Sequence, residues 1–188
     1  MMQRRTLGLG WACWAGMVVM GVAASAPAQS DIKAVESYVV FVTTDKAPMR
    51  CSNGLLFYPV RELKNGESLR VNGEGPGWVR VEYTPGMRAY VNASEVEASR
   101  DGQSAKLTKP SRLLAVVGDG KQRPWWPLDL DADIAAGTSM RIIEPYKTPD
   151  NVIDGYYVDA PAKARGYVKP EHVRKATAEE MTKLAPPP

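Results

Sequence analysis

Val91-Asn92-Ala93-Ser94-Glu95-Val96 returns 77 positions later as Val168-Lys169-Pro170-Glu171-His172-Val173, and each copy closes a similar strand-rich segment. Self-similarity over a domain-sized period means that one small module was used twice. Two further places support the duplication. Leu63-Lys64-Asn65-Gly66 matches Ile134-Ala135-Ala136-Gly137 at an offset of 71, and Tyr58-Pro59-Val60 has a counterpart in Trp126-Pro127-Leu128. The change of offset from 71 to 77 places six extra residues in the second copy, and Pro145-Tyr146-Lys147-Thr148-Pro149-Asp150-Asn151 is the turn-rich stretch that can take them. Closure entropy grows slowly with loop length, so such an insertion is inexpensive there.

Outward from the repeat, the first copy alternates apolar and polar residues with the period of two that marks half-buried strands. Glu36-Ser37-Tyr38-Val39-Val40-Phe41-Val42, Glu67-Ser68-Leu69-Arg70-Val71, Trp78-Val79-Arg80-Val81-Glu82 and Met87-Arg88-Ala89-Tyr90-Val91 all read as strands. Asn72-Gly73-Glu74-Gly75-Pro76-Gly77 and Pro85-Gly86 are the turns between them. Short strands at this turn frequency predict an all-β fold of two small barrels in tandem, at 35–98 and 107–176, joined by a polar linker at 99–106. Each would have its own core of roughly 65 residues, marginal but able to fold alone. Thr177-Ala178-Glu179-Glu180 has the capping-box pattern of a short helix, within a flexible Pro-rich tail at 177–188 that ends in Pro186-Pro187-Pro188.

Residues 1–28 read as a secretion signal: Arg4 and Arg5, an apolar run from Leu7 to Ala24, and the small-residue site Ala26-Pro27-Ala28. Arg4-Arg5 faintly resembles a twin-arginine signal, but no cofactor motif follows that would require export of a folded protein. Cys13 lacks the preceding leucine of a lipid-modified cysteine. The expectation is a periplasmic or secreted protein cleaved near Ala28, with no membrane span thereafter. Loss of Arg4 and Arg5 leaves 22 basic against 21 acidic groups, a net charge of +1, which gives no electrostatic footprint for nucleic acid. Cys51 is the one cysteine left, so no intramolecular disulfide is available despite export.

In order along the first copy stand Arg50-Cys51-Ser52, Tyr58-Pro59-Val60, Leu63-Lys64-Asn65-Gly66, Gly77-Trp78-Val79-Arg80-Val81 and Ala89-Tyr90-Val91. The second has Ile134-Ala135-Ala136-Gly137, Gly155-Tyr156-Tyr157-Val158 and Gly166-Tyr167-Val168, with the opening loop pattern lost. These motifs together resemble the bacterial SH3-like (SH3b) domain family, and they cover most of the mature chain. The resemblance implies a pair of SH3-like, five-stranded, partly open barrels, each with a long loop after the first strand and a single helical turn before the last. It also implies a non-catalytic targeting or peptide-binding role at the cell envelope. The grip on proline-rich peptides that eukaryotic relatives use has no counterpart here.

Period-two alternation puts Val79 and Val81 inward and Trp78, Arg80, Tyr90, Tyr157 and Tyr167 outward. Trp78 and Tyr90 on one hairpin are then a candidate platform for a peptide or sugar ring. The competing expectation is that such aromatics pair with each other or lie beneath a loop. Arg50 and Tyr58 in the first long loop, and Trp125 and Trp126 in its equivalent, complete the candidate ligand-binding set. Tryptophans on a loop make good anchors. In a domain this small they are equally needed to cap a barrel or fill the seam between copies. Cys51 and His172 are a formal nucleophilic pair that would have to meet across modules. Asp129, Asp131 and Asp133 loosely echo a calcium loop but lack its glycine and distal glutamate, so a solvated edge with Leu128 and Leu130 inward is expected. The sequence calls for no cofactor or metal. Three functions are in play: a module that binds a peptide, peptidoglycan or envelope protein; a structural adaptor whose two barrels pack together; and a cysteine-dependent peptidase.

Overall fold

The computed structural model describes residues 31–184, so the secretion signal expected at 1–28 lies outside the described residues. The first copy forms β1 (Lys33–Val42), β2 (Ala47–Arg50), β3 (Pro59–Leu63), β4 (Ser68–Gly75), β5 (Trp78–Glu82), β6 (Arg88–Asn92) and β7 (Val96–Ala98). The second forms β8 (Ser104–Leu107), β9 (Leu114–Ala115), β10 (Ser139–Lys147), β11 (Ile153–Asp159), β12 (Arg165–Val168) and β13 (Val173–Lys175). The helical turn expected before each last strand is a 3-10 turn, Ala93–Glu95 in one copy and Pro170–His172 in the other. The capping box at Thr177 also forms. Glu180 accepts the Thr177 N–H at 2.9 Å and donates its own N–H to the Thr177 hydroxyl, opening the helix α1 (Ala178–Leu184).

The strands assemble into two antiparallel sheets, ordered β13-β1-β4-β5-β12-β2-β3 and β7-β8-β10-β11-β6-β9. Replacing each strand of the first sheet by its repeat equivalent yields the second, position for position, with β3 as the extra edge. The duplication also holds at single hydrogen bonds. Gly66 N–H donates to Val42 O and Gly137 N–H to Leu107 O, each at 2.8 Å, and both glycines carry the positive φ, 81° and 82°, that this turn requires.

The copies do not close on themselves. The segment 88–98, expected to finish the first module, lies in the second sheet, and 165–175 finishes the first sheet. The expected β5–β6 hairpin is absent: β5 pairs with β12, and β6 pairs with β11. The two cross-copy ladders share one register. Val79 faces Val168 as Tyr156 faces Val91, and Glu82 faces Arg165 as Asp159 faces Arg88. Between them, residues 83–87 and 160–164 pass each other antiparallel, with Tyr83 N–H donating to Ala164 O at 2.8 Å and Ala160 N–H to Met87 O at 3.0 Å. The second sheet is therefore one continuous stretch, 88–159, set between the two parts of the first. The physical reason is interchangeability: both closing hooks present Arg, a small residue, Tyr and Val to the ladder, so pairing chemistry alone does not hold a hook to its own copy.

A single buried cluster joins Val40, Met49, Leu63 and Val81 of the first sheet to Val91, Leu107, Ala115 and Val158 of the second. This replaces the two separate cores expected from the repeat length. The six inserted residues also fall differently. Pro145, Tyr146 and Lys147 extend β10 rather than forming a loop, and the turn follows at Asn151, whose φ is 61°. A longer hairpin keeps Tyr146 in contact with other aromatic rings, which a free loop would not.

Candidate functional site

Four of the outward-facing aromatics are covered. Trp78 and Tyr167 are 7% exposed, Tyr157 2% and Tyr90 not at all. Trp78 and Tyr90 do not share a hairpin, because β5 and β6 belong to different sheets. Tyr90 packs instead with Tyr157 and Tyr146 in a mutual edge-to-face triad, at centroid separations of 5.8 to 5.9 Å. Tyr90 O–H donates to Asp154 at 2.7 Å and Tyr157 O–H to Gly120 O at 2.6 Å. Arg88 lies over the Tyr157 ring and Arg123 over Tyr90. Burial and the Asp154 carboxylate push the Tyr90 hydroxyl up, and burial takes Tyr157 to about 12. Arg123 and the Tyr90 hydroxyl together hold Asp154 below the usual carboxylate range. This triad is a second small core beneath the loop that carries Gly120 and Arg123, as the competing expectation for these aromatics has it.

On the first sheet Tyr167 O–H donates to Asp129 at 2.6 Å, and burial and that bond raise its hydroxyl. Asp131 pairs with the buried Arg165, which lowers its carboxyl, and Asp133 pairs with Arg112 at 2.8 Å. The three aspartates thus serve three separate partners, while Leu128 is buried and Leu130 packs against the core as expected. Among the described residues, no group of three or more His, Cys, Asp and Glu side chains could hold a metal ion. Cys51 is in the core, and burial pushes its thiol up to about 12. A thiol held protonated there has none of the thiolate character a nucleophile needs. His172 sits in a 3-10 turn, where its carbonyl accepts the Thr43 N–H at 2.9 Å; Glu95 accepts Thr108 in the equivalent bond at 3.0 Å. The two positions are equivalent in the backbone and differ only in side chain.

The remaining candidates meet where the long loops of the two copies pack. Arg50 sits at the base of the first loop, and its Nη1 donates to Phe57 O at 2.5 Å and Leu55 O at 3.4 Å. Its guanidinium thus ties the loop's carbonyls to the end of β2. Cys51 N–H closes the loop by donating to Tyr58 O at 3.1 Å. Tyr58 then bridges the copies: its hydroxyl donates to Ala115 O at 2.6 Å and accepts the Trp126 N–H at 3.1 Å. Burial takes its hydroxyl up to about 12. Ring contacts follow the same seam, with Phe57 to Trp126 at 4.3 Å and Tyr58 to Trp125 at 5.1 Å. Trp126 packs against the core, while Trp125 is 57% exposed.

Beside this seam stand Leu55 and Leu56, 67% and 78% exposed. Reading the sequence for aromatics passes over them. The available signal is an apolar pair directly after the turn residues Ser52-Asn53-Gly54, where a loop has no strand face in which to bury it. Below the loops a cavity of about 210 Å³ is lined by Cys51, Ser52, Arg112, Trp126, Asp129 and Tyr167. A larger one of about 380 Å³ lies at the crossing, between Arg61, Thr84, Met87 and Arg88. The polar groups of this larger cavity already serve one another, Arg61 with Thr84 and Glu67, and Arg88 with Glu144. Among the described residues no helix is long and apolar enough to cross a membrane. No protein family, curated protein or solved structure matches this chain.

Proposed function

We propose that this chain is an exported, non-catalytic tandem module, similar to bacterial SH3-like domains, that binds an apolar segment of a peptide or envelope protein. The contact surface is the rim formed by Leu55, Leu56 and Trp125. The observation that carries the proposal is the exposure of these three large apolar side chains, 57% to 78%, on loops whose other aromatics are tied down between the copies. A rigid base with exposed apolar anchors is how interface hot spots are built. Leucine side chains make no hydrogen bonds, so the rim fits a peptide or protein better than a cell-wall glycan. Tyr58, Trp126 and Arg50 position the rim rather than touch the partner.

The test places a photo-crosslinking amino acid at Trp125 in the envelope of the producing cell and compares it with the same residue at Lys64 on the opposite turn. A discrete protein adduct at 125, absent at 64 and lost in Leu55→Asp/Leu56→Asp, supports the reading. Equal adducts at both positions overturn it, and sedimentation of the purified protein with peptidoglycan independent of Trp125 would assign the module to the cell wall instead. The adaptor reading has support of its own in the merged core and the traded closing strands, which join the copies into a single body. In that reading the same rim docks the body into a larger assembly.

A further inference from the structure

The traded hooks raise the question of what assigns each to the opposite copy. Three of the four ladder positions do not discriminate, since Arg88, Tyr90 and Val91 correspond to Arg165, Tyr167 and Val168. The fourth does. Gly166 lies against Met49, and a Cβ there would sit 2.7 Å from Met49 Cγ, 2.8 Å from its Sδ and 3.2 Å from the Tyr83 ring. Met49 is fully buried, so it has no free volume into which to retreat. The equivalent residue of the other hook is Ala89, which does carry a Cβ. In its own place Ala89 is also fully buried, facing Val158 and Ala115. Hook 88–98 therefore meets a steric block in the first sheet, whereas hook 165–175 entering the second sheet would lose only a methyl contact. The discrimination is one-sided, and one-sided exclusion is sufficient because the chain has two hooks for two places. A second observation lies at the same contact. The Tyr83 hydroxyl, on the crossing segment, is buried with no hydrogen-bond partner among the described residues, a cost of crossing that the rest of the packing has to exceed.

We infer that the Met49–Gly166 contact is the selector that makes this chain close in exchanged form. With the contact equalised, local hairpin closure, in which each hook folds back on its own copy, becomes accessible through the Thr84-Pro85-Gly86 turn. The selector acts on the hook and not on which chain carries it, the situation in which hinge segments permit swapping.

Paired cysteines report the two closures in the full chain. Arg88→Cys with Asp159→Cys stands face to face only in the exchanged form, and Glu82→Cys with Arg88→Cys only in the hairpin form. A protease site placed in the turn at 99–103 lets a non-reducing gel tell them apart, because only the first disulfide joins the two fragments. In the parent chain the exchanged pair forms nearly completely. Ala89→Gly, a mild change that frees hook 88–98 to enter beside Met49, is expected to lower that yield at least twofold and to raise the hairpin pair. Met49→Ala is expected to give the same shift from the other side of the contact. Unchanged yields of both disulfides in both variants would overturn the selector, and so would a shift in Met49→Ala with none in folded Ala89→Gly.

Discussion

Val168→Ala separates this architecture from two independent barrels. Val168 is fully buried in β12 and faces Val79 of β5, so its side chain serves the first sheet although it belongs to the second copy. Removing two methyl-sized groups forfeits about 1.6 kcal/mol of transfer free energy, and an unrelaxed cavity raises the loss to about 2–3 kcal/mol. With a urea dependence of about 2 kcal/mol per molar, the midpoint falls by roughly 1 M. The location of the effect is more telling than its size. Native-state hydrogen exchange should show protection lost first in β5 and β2, the sheet neighbours of β12, more than 80 residues away for β5. Val91→Ala, its repeat equivalent, should lose a similar amount and open β11 and β9 first. If Val168→Ala instead loosened β10 and β11 while β5 stayed protected, the reasoning from exchanged closure would be refuted.

Gly155→Ala should be among the most harmful small substitutions, about 3 kcal/mol or more, because its Cβ would collide with the Tyr90 ring and with the Val91 carbonyl, which as backbone cannot move aside; thermal unfolding with and without the change measures it. Asp154 has its carboxyl lowered by Arg123 and the Tyr90 hydroxyl. The stability it adds is present above its unfolded value, near 3.9, and is lost as pH falls towards its folded one, so urea midpoints of Asp154→Asn should fall less than the parent's below about pH 4. Cys51 runs the other way. Its thiol is raised to about 12, so the folded form holds a proton that the unfolded chain releases near pH 8.5, and stability contributed by this group declines as pH rises from there. At pH 8 a thiol reagent should label the native protein only at the rate of opening, and rapid stoichiometric labelling would contradict the burial.

The strands were legible because alternation is local. Trp78-Val79-Arg80-Val81-Glu82 and Arg88-Ala89-Tyr90-Val91 reveal their period without reference to anything distant. The same property hid the topology. Since Arg88, Tyr90 and Val91 match Arg165, Tyr167 and Val168, every pairing rule is satisfied equally by hairpin and by exchange, and a single methyl at position 89 against none at 166 is too small a mark to read without Met49 beside it. Alternation also assigns two faces to a strand without saying what covers them, so Tyr90 and Tyr157 read as outward and are outward from the main cluster, yet lie under the loop carrying Gly120. Trp126 was legible as a seam residue because a small core needs large apolar groups, whereas Tyr58, read as a ligand contact, bridges the copies through a hydroxyl whose partners at Ala115 and Trp126 are distant in sequence. Leu55 and Leu56 were not, since an exposed leucine has no pattern to break.

The exchange has a further meaning in the order of synthesis. Strands β1 to β5 are made first, but their sheet lacks the strand between β5 and β2 and one of its edges until residues 165–175 have emerged. The stretch 88–159, made between them, completes the second sheet while the first still waits. An N-terminal half with an unfilled gap and exposed ladder groups is a poor state in which to pause and a good template for the wrong strand. The first sheet thus acquires its native pairing only near the end, after the second is complete, a late commitment that exposes a chain folding during synthesis to mispairing.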